Sequence, residues 1–215
     1  AMKEAKKLLD SKENIYIEEN NWYLAKPEKN KKNTGFIIYP GARIEPKAYL
    51  PLADKIADAG FKTFVIPMPF NLAALDTDIA IKVMREYSEI ENWFIAGHSL
   101  GGSMAVEFAS LDTHKLKGLI LLAAYSPERT HLKNLPVLSI TASNDKILNQ
   151  KRFKERKENL PAETNFINIK GGNHSQFAWY GFQNGDGKAT ITRDQQLNLI
   201  VKHIKNFSYQ ILKEE

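Results

Sequence analysis

A serine set among glycines, an aspartate in a polar turn and a histidine behind two glycines are the residues of this chain whose types and spacing could do chemistry. Gly97-His98-Ser99-Leu100-Gly101-Gly102 contains the pattern G-x-S-x-G. It lies between a strand-like run, Trp93-Phe-Ile-Ala96, and a small-residue segment with helical character, 99–110. A nucleophilic serine needs that context. It must sit on a very tight strand-to-helix turn so that its hydroxyl projects above the sheet, and the glycines leave room for the turn and for close helix–strand packing. The Leu100 N–H then points at a developing oxyanion, aided by the helix N-terminus. The plainer alternative is that Ser99 only caps a helix after a Gly-rich loop. A phosphate-binding loop is excluded, since no G-x-x-x-x-G-K-[ST] occurs and no G-x-G-x-x-G follows the first parallel strand.

Serine becomes a nucleophile at neutral pH only beside a base. Five histidines are available. His98 is inside the turn and is expected to point away from the Ser99 hydroxyl. His114 and His131 fall before strands, at the opposite end of a parallel sheet, and His203 sits within the last helix. His174 alone follows the carboxyl end of a late strand, through Lys170-Gly-Gly-Asn173. The acid that holds the second imidazole nitrogen is expected at Asp145, in the turn Ala142-Ser-Asn-Asp145 after another strand. Asp145 could instead serve as a helix cap or an Asx-turn, and His174 could be a surface loop residue. Each of the three nevertheless follows the carboxyl end of a strand, where open parallel sheets bind ligands.

A second oxyanion donor is expected from the loop Pro40-Gly-Ala-Arg-Ile-Glu-Pro46, with the Ala42 N–H as candidate and an ordinary turn as the alternative. Arg43 and Glu45 in the same loop are candidate substrate contacts, or pair with each other on the surface. Phe177 and Trp179, shortly after the base, are candidates to line an acyl or alcohol pocket; packing against the final helix is the alternative.

Something must position these residues. Segments 15–18 and 22–25 read as a hairpin with a Glu-Asn-Asn turn. Apolar runs at 35–39, 61–66, 93–96, 119–123, 137–141 and 165–169 read as strands. Between them, Leu50, Leu52, Ala53, Ile56 and Ala57 recur at helical spacing, with Gly60 as C-terminal cap. Ile79, Ala80, Val83, Met84 and Tyr87 mark a helix capped by Asp76 or Thr77. The segment 150–159 is charged and helical. Leu197, Ile200, Val201, Ile204, Phe207 and Ile211 stripe a final helix, with Thr192 and Gln195 at capping-box spacing. This alternation predicts a single α/β domain over 1–215: a mostly parallel sheet, an N-terminal antiparallel hairpin, helices on both faces and an arm at 1–14. The connection 125–136, twelve residues long, is too short for a helical lid.

Composition sets the outer limits. With 215 residues, 43% hydrophobic and 26% charged, the chain is globular and long enough to bury a core. It has no cysteine, which excludes disulfides, thiolate catalysis and thiolate metal sites. The net charge of +5 comes mainly from dispersed lysines, densest at Lys29, Lys31 and Lys32. No arginine stripe with stacking aromatics calls for nucleic acid, and no apolar run is long enough for a membrane span. No secretory leader is visible. Ala1 ahead of Met2 reads as a remnant of expression, which leaves open a segment upstream.

The chain resembles a family of small bacterial α/β-hydrolases, family 5, grouped loosely with dienelactone-hydrolase-like proteins. The stretches that carry the resemblance are Tyr39-Pro-Gly-Ala42, Pro67-Met-Pro-Phe-Asn-Leu-Ala73, Gly97-His-Ser-Leu-Gly-Gly102, Leu119-Ile-Leu-Leu-Ala-Ala-Tyr125, Ser143-Asn-Asp145, Gly171-Gly-Asn-His174 and Asn184-Gly-Asp-Gly-Lys-Ala-Thr190. The resemblance implies the α/β-hydrolase fold and the triad Ser99, Asp145 and His174, in that chain order. Dienelactone hydrolases proper use a cysteine nucleophile, so their substrate does not carry over. Similar proteins often have an N-terminal membrane segment before the region of residues 3–11, which would make this chain an anchored, extracytoplasmic domain; a cytoplasmic protein is the alternative. The expected activity is cleavage of an ester or related acyl bond of a small molecule, carboxylesterase-like, without metal or cofactor. A peptidase or acyltransferase on the same triad and a non-catalytic binding protein are the other readings.

Overall fold

Strict alternation inside the apolar runs builds the central sheet. Phe36, Ile38, Phe94, Ala96, Ile120 and Leu122 are buried on one face, and Ile37, Tyr39, Trp93, Ile95, Leu119 and Leu121 on the other. Strands apolar on both faces must be covered on both. The computed structural model describes residues 1–11, 13–18, 22–29, 33–68, 71, 78–111 and 114–213. The hairpin turn at 19–21, the basic run from residue 30 to 32, the caps Asp76 and Thr77 and most of the stretch 69–73 lie outside the described residues.

The helices are α1 (Lys3–Ser11), α2 (Leu50–Asp58), α3 (Ile79–Glu86), α4 (Leu100–Ala109), α5 (Gln150–Glu155) and α6 (Arg193–Lys213). The strands are β1 (Ile15–Ile17), β2 (Tyr23–Ala25), β3 (Thr34–Tyr39), β4 (Lys62–Val65), β5 (Asn92–His98), β6 (Leu116–Leu122), β7 (Val137–Ala142) and β8 (Asn165–Ile169). They form one eight-stranded sheet in the order β1-β2-β4-β3-β5-β6-β7-β8. The β1–β2 and β2–β4 pairings are antiparallel, and every pairing from β4 through β3 to β8 is parallel.

Buried residues of α2 and α6 share one core cluster, with Leu8 and Leu9 of α1 packed against it; α3 and α4 pack into the other. The expected arm at 1–14 is thus largely a helix, α1, lying against α2 and a 3₁₀ turn at Pro46–Tyr49. The charged segment after residue 150 is shorter as an α-helix than its spacing predicts. It tightens to a 3₁₀ turn at Arg156–Asn159, and α5 itself buries nothing. The capping box of α6 is present: Gln195 N–H donates to Thr192 Oγ1 and Thr192 N–H to Gln195 Oε1. The connection 125–136 holds turns and no helix.

Two features of this topology place the site. From β3 the chain goes to β4 on one side and then to β5 on the other, so β3 and β5 flank the switch point where a crevice opens. The parallel register also brings strand ends level. Tyr39 lies beside Gly97, His98 beside Leu122, and Ala142 beside Ile169. The loops carrying Ala42, Ser99, Asp145 and His174 therefore leave the same edge of the sheet.

Candidate active site

Ser99 has φ 53° and ψ −122°, a left-handed conformation that a side chain rarely adopts. Such strain costs on the order of 1–3 kcal/mol and persists only where the surroundings impose it. Here its N–H is pinned to Leu122 O (2.9 Å), and its carbonyl accepts from Gly102 and Ser103 in the first turn of α4. The glycines admit the turn. A Cβ on Gly97 would lie 2.4 Å from Gly101 O, and one on Gly101 would lie 2.3 Å from Pro40 O. Close approach of backbone to backbone is what these positions require, and it presses the loop after β3 against the start of α4. Ser99 is half-buried.

Asp145 and His174 meet as the sequence anticipates. His174 Nδ1 lies 2.8 Å from Asp145 Oδ2, and both side chains are buried. The other carboxylate oxygen, Oδ1, accepts the N–H groups of Ile147 and Leu148 at 2.8 Å each. Asp145 is thus also the head of an Asx-turn, and the two roles use different oxygens. His174, Ser99, Leu100 and Ser103 line one cavity of about 200 Å³, whose remaining wall is Ala123, Ala124, Tyr125, Ile147, Leu148 and Asn149. A larger cavity of about 450 Å³ lies at the opposite end of the strands, around His114 and His131, far from any of these groups.

The loop carrying His174 is held from several directions. Gln196 on α6, fully buried, donates from Nε2 to Asn173 O and accepts Asn173 N–H at Oε1, both at 2.9 Å. Arg193 donates to the carbonyls of Ser175 and Ala178. Asn173 caps the 3₁₀ turn at His174–Phe177 by accepting Gln176 N–H.

His98 is fully buried behind the site. Gly41 N–H donates to Tyr49 Oη, and that hydroxyl lies 2.8 Å from His98 Nδ1. Among the described residues Nε2 has no partner. Burial, and then the neighbouring His174, hold this imidazole well below its usual value, so it stays neutral. Burial pushes the Tyr49 phenol well up.

The remaining candidates fall as follows. Ala42 is exposed, and among the described residues neither its N–H nor that of Leu100 has an acceptor. Arg43 is exposed, with φ 59° and its N–H bonded to Asn71 O. Glu45 pairs with Lys6 of α1 at 3.4 Å rather than with Arg43. Phe177 is a core residue. It stacks on the His98 ring at 5.6 Å, away from the cavity wall. Trp179 donates its backbone N–H to Ala48 O and has Arg193 over its ring, and it too is not part of that wall. The apolar wall comes instead from Ile147 and Leu148, just after Asp145, and from Ala123 to Tyr125, just after β6. Their place after strand ends was the available signal.

Asp186 was not anticipated. It is buried, and its carboxylate accepts Ser175 N–H (2.8 Å), Ser175 Oγ–H (2.6 Å), Lys146 N–H (3.2 Å) and Gly187 N–H (2.8 Å). Only a Gly-Asp-Gly turn marks it in the sequence. Among the described residues no group of three or more His, Asp or Glu side chains is placed to hold a metal ion, and no helix is long and apolar enough to cross a membrane.

Comparison with known proteins bears on the fold and the family. A putative non-heme haloperoxidase of Mycobacterium phage D29 is 28% identical over 105 residues, covering 44% of this chain and 37% of that one. This chain thus spans little more than a third of that relative's length. The monoacylglycerol lipase of Paleococcus ferrophilus superposes with a TM-score of 0.65 at 15% identity, over 86% of this chain and 99% of that one. Est1E of Butyrivibrio proteoclasticus, solved with ferulic acid bound, superposes with a TM-score of 0.66 at 14% identity, over 90% and 95%. At these identities the two structures speak for the fold, the α/β-hydrolase fold. Residues 35–198 match the alpha/beta hydrolase family over most of the chain's length, and the protein is a member of that family.

Proposed function

We propose that the chain is a serine hydrolase that cleaves an ester or related acyl bond of a small molecule through an acyl-enzyme intermediate. The observation that carries this is His174, held by Asp145 on Nδ1 and opening with Ser99 onto one cavity. His174 Nε2 takes the Ser99 Oγ proton as the hydroxyl attacks the carbonyl carbon. The tetrahedral oxyanion is met by the Leu100 N–H at the start of α4 and by the Ala42 N–H. His174 then passes its proton to the leaving alcohol, and water, activated in the same way, releases the acid.

Cavity size bears on the substrate. About 200 Å³ is below the range of roughly 300–1,000 Å³ typical of sites that enclose a drug-sized ligand. The apolar wall of Ala123, Ala124, Ile147 and Leu148 suits a short acyl group, and the connection 125–136 carries no helix that could serve as a lid. The test is a fluorophosphonate probe followed by a panel of p-nitrophenyl esters of rising chain length, thioesters and aminoacyl substrates. Wild type is expected to label at Ser99 and to prefer short acyl esters without interfacial activation. Ser99→Ala should lose labelling and about 10⁴-fold or more in turnover. Labelling that survives in Ser99→Ala, or no turnover of any acyl substrate, would refute the proposal.

A further inference from the structure

We infer that Asp186 is a positioning residue for catalysis, whose carboxylate sets the register between the acid loop and the base loop. The inference rests on the reading of Ser99, Asp145 and His174 as the triad. Asp186 reaches the residue after each partner. Oδ1 accepts from Lys146 N–H, next to Asp145, and Oδ2 accepts from Ser175 N–H and Oγ–H, next to His174. One side chain thus ties together two loops that leave different strands, β7 and β8.

The segment around Asp186 strengthens the tie. Gly187 O accepts from Asn173 Nδ2 at 2.7 Å, on the other side of His174. Gly187 lies so close to the acid turn that a Cβ there would be 2.0 Å from Asn144 O. Asn144 in turn donates its N–H to Gly172 O and its side-chain amide to Lys188 O. Ser175 Oγ, donating to Asp186, also accepts Gln183 N–H. The strap 183–188 therefore touches both loops on either side of the 2.8 Å Asp145–His174 contact.

A carboxylate is what this position requires. Its contacts are three backbone N–H groups and one hydroxyl, all able to donate, and only an acceptor-only group with two oxygens satisfies them together. Burial alone would push Asp186 up, but these hydrogen bonds outweigh it and hold the carboxyl below the usual range, so it stays ionised. An asparagine would turn its NH₂ toward a backbone N–H in either orientation. The loops would then separate by some fraction of an ångström. Misplacement of about 1 Å can cost on the order of 100-fold in rate.

The test is a double-mutant cycle on the full chain. Asp186→Asn is expected to lower kcat per probe-labelled site by about 10–100-fold, with KM within about twofold. Placed in Asp145→Asn, it should change the residual rate by less than about threefold, because the contact it positions no longer supports the productive tautomer. A carboxylate that only stabilises the fold would instead lower the labelled fraction, or cost the same factor in both backgrounds; either result overturns the inference. If Asp186→Asn does not fold, Ser175→Ala reads the same coupling. A loss of about 3–10-fold in kcat that vanishes in Asp145→Asn is expected, and an additive loss or none overturns it. An Asp145→Asn enzyme of nearly full activity would overturn the triad itself, and this inference with it. A roughly 10⁴-fold loss in Asp145→Asn with additivity at Asp186 would overturn this inference alone.

Discussion

Replacing Asp145 by asparagine keeps the shape of the side chain and inverts what it offers to His174. Oδ1 of Asp145 accepts the N–H groups of Ile147 and Leu148. An asparagine cannot present NH₂ to those two donors, so its carbonyl oxygen takes the Oδ1 place. The NH₂ then occupies the Oδ2 position, 2.8 Å from His174 Nδ1. That nitrogen must now accept, and the imidazole proton moves to Nε2, where the Ser99 proton has to go. The base is present in position and wrong in tautomer. The expected loss is about 10⁴-fold in kcat/KM, or about 5.4 kcal/mol of transition-state stabilisation. The fold should survive, because both turn hydrogen bonds remain. Steady-state kinetics on a short p-nitrophenyl ester, beside thermal unfolding of the same samples, measure both halves. Asp145→Ala is the control: it strands the Ile147 and Leu148 amides, at about 1–3 kcal/mol each if they find no water. An Asp145→Asn enzyme that keeps more than about a tenth of wild-type kcat/KM would refute the reasoning, since another carboxylate would then orient the base.

Gly101→Ala tests the packing of the turn. Its Cβ would lie 2.3 Å from Pro40 O and 2.4 Å from Tyr39 O, and neither backbone atom can yield cheaply. The gain of about 1 kcal/mol in helix propensity is set against overpacking of about 1–3 kcal/mol or more. Net destabilisation in urea and weakened probe labelling are expected; a more stable protein would contradict the geometry. His98 gives a pH signature. Its folded value lies below its ordinary one, so between that value and about 6.5 the unfolded chain binds more protons. Stability should therefore be complete above about pH 6.5 and fall as the solution is acidified, by up to about 1.4 kcal/mol per pH unit. His98→Asn keeps a side-chain amide able to pair with the Tyr49 hydroxyl and should flatten this slope between pH 6.5 and 5; unchanged melting curves in both proteins would show that His98 does not titrate there.

What was legible in the sequence follows from how the information is carried. The elements came from periodicity, which is local, so Asn165–Ile169 matches its expected bounds and the capping box at Thr192 and Gln195 forms as its spacing predicts. Asp145 and His174 were legible because a parallel sheet puts all its strand ends on one edge, so position after a strand is already a spatial statement. Side-chain direction is not carried in that way. Phe177 and Trp179 stand close to the base in sequence, yet the 3₁₀ turn at His174–Phe177 carries Phe177 beneath His98. Glu45 finds Lys6 because α1 lies over its loop, a contact of 39 residues' separation that spacing within the loop does not reveal. Asp186 is the clearest case. Its four partners belong to the loops after β7 and β8 and to its own turn, and only the closed fold brings them to one carboxylate.

The same distinction explains how the strain at the site is borne. Ser99 at φ 53° and Ala123 at φ 47° are both left-handed without being glycine, and both line the cavity. Each directly follows a strand, β5 or β6. Each is pinned by the same device, an N–H bonded to the neighbouring strand: Ser99 to Leu122 O at 2.9 Å and Ala123 to Ile140 O at 2.8 Å. The pinning is effective because the strands behind it cannot move. Phe94, Ile95, Ala96, Ile120, Leu121 and Leu122 are all fully buried, so relaxing either turn would pull close-packed core out of register. The acid loop begins with the same device, Ser143 N–H donating to Ile169 O at 3.0 Å where it leaves β7. Beyond that point the loops of Asp145 and His174 are tied to one another by Asn144 N–H to Gly172 O and by Asp186, and the His174 loop is tied to α6 by Gln196 and Arg193. Ser99 is thus held by the core, and the Asp145–His174 pair mainly by hydrogen bonds among the loops. Substitutions in the strap should therefore impair proton transfer while leaving the strained turn at Ser99 in place.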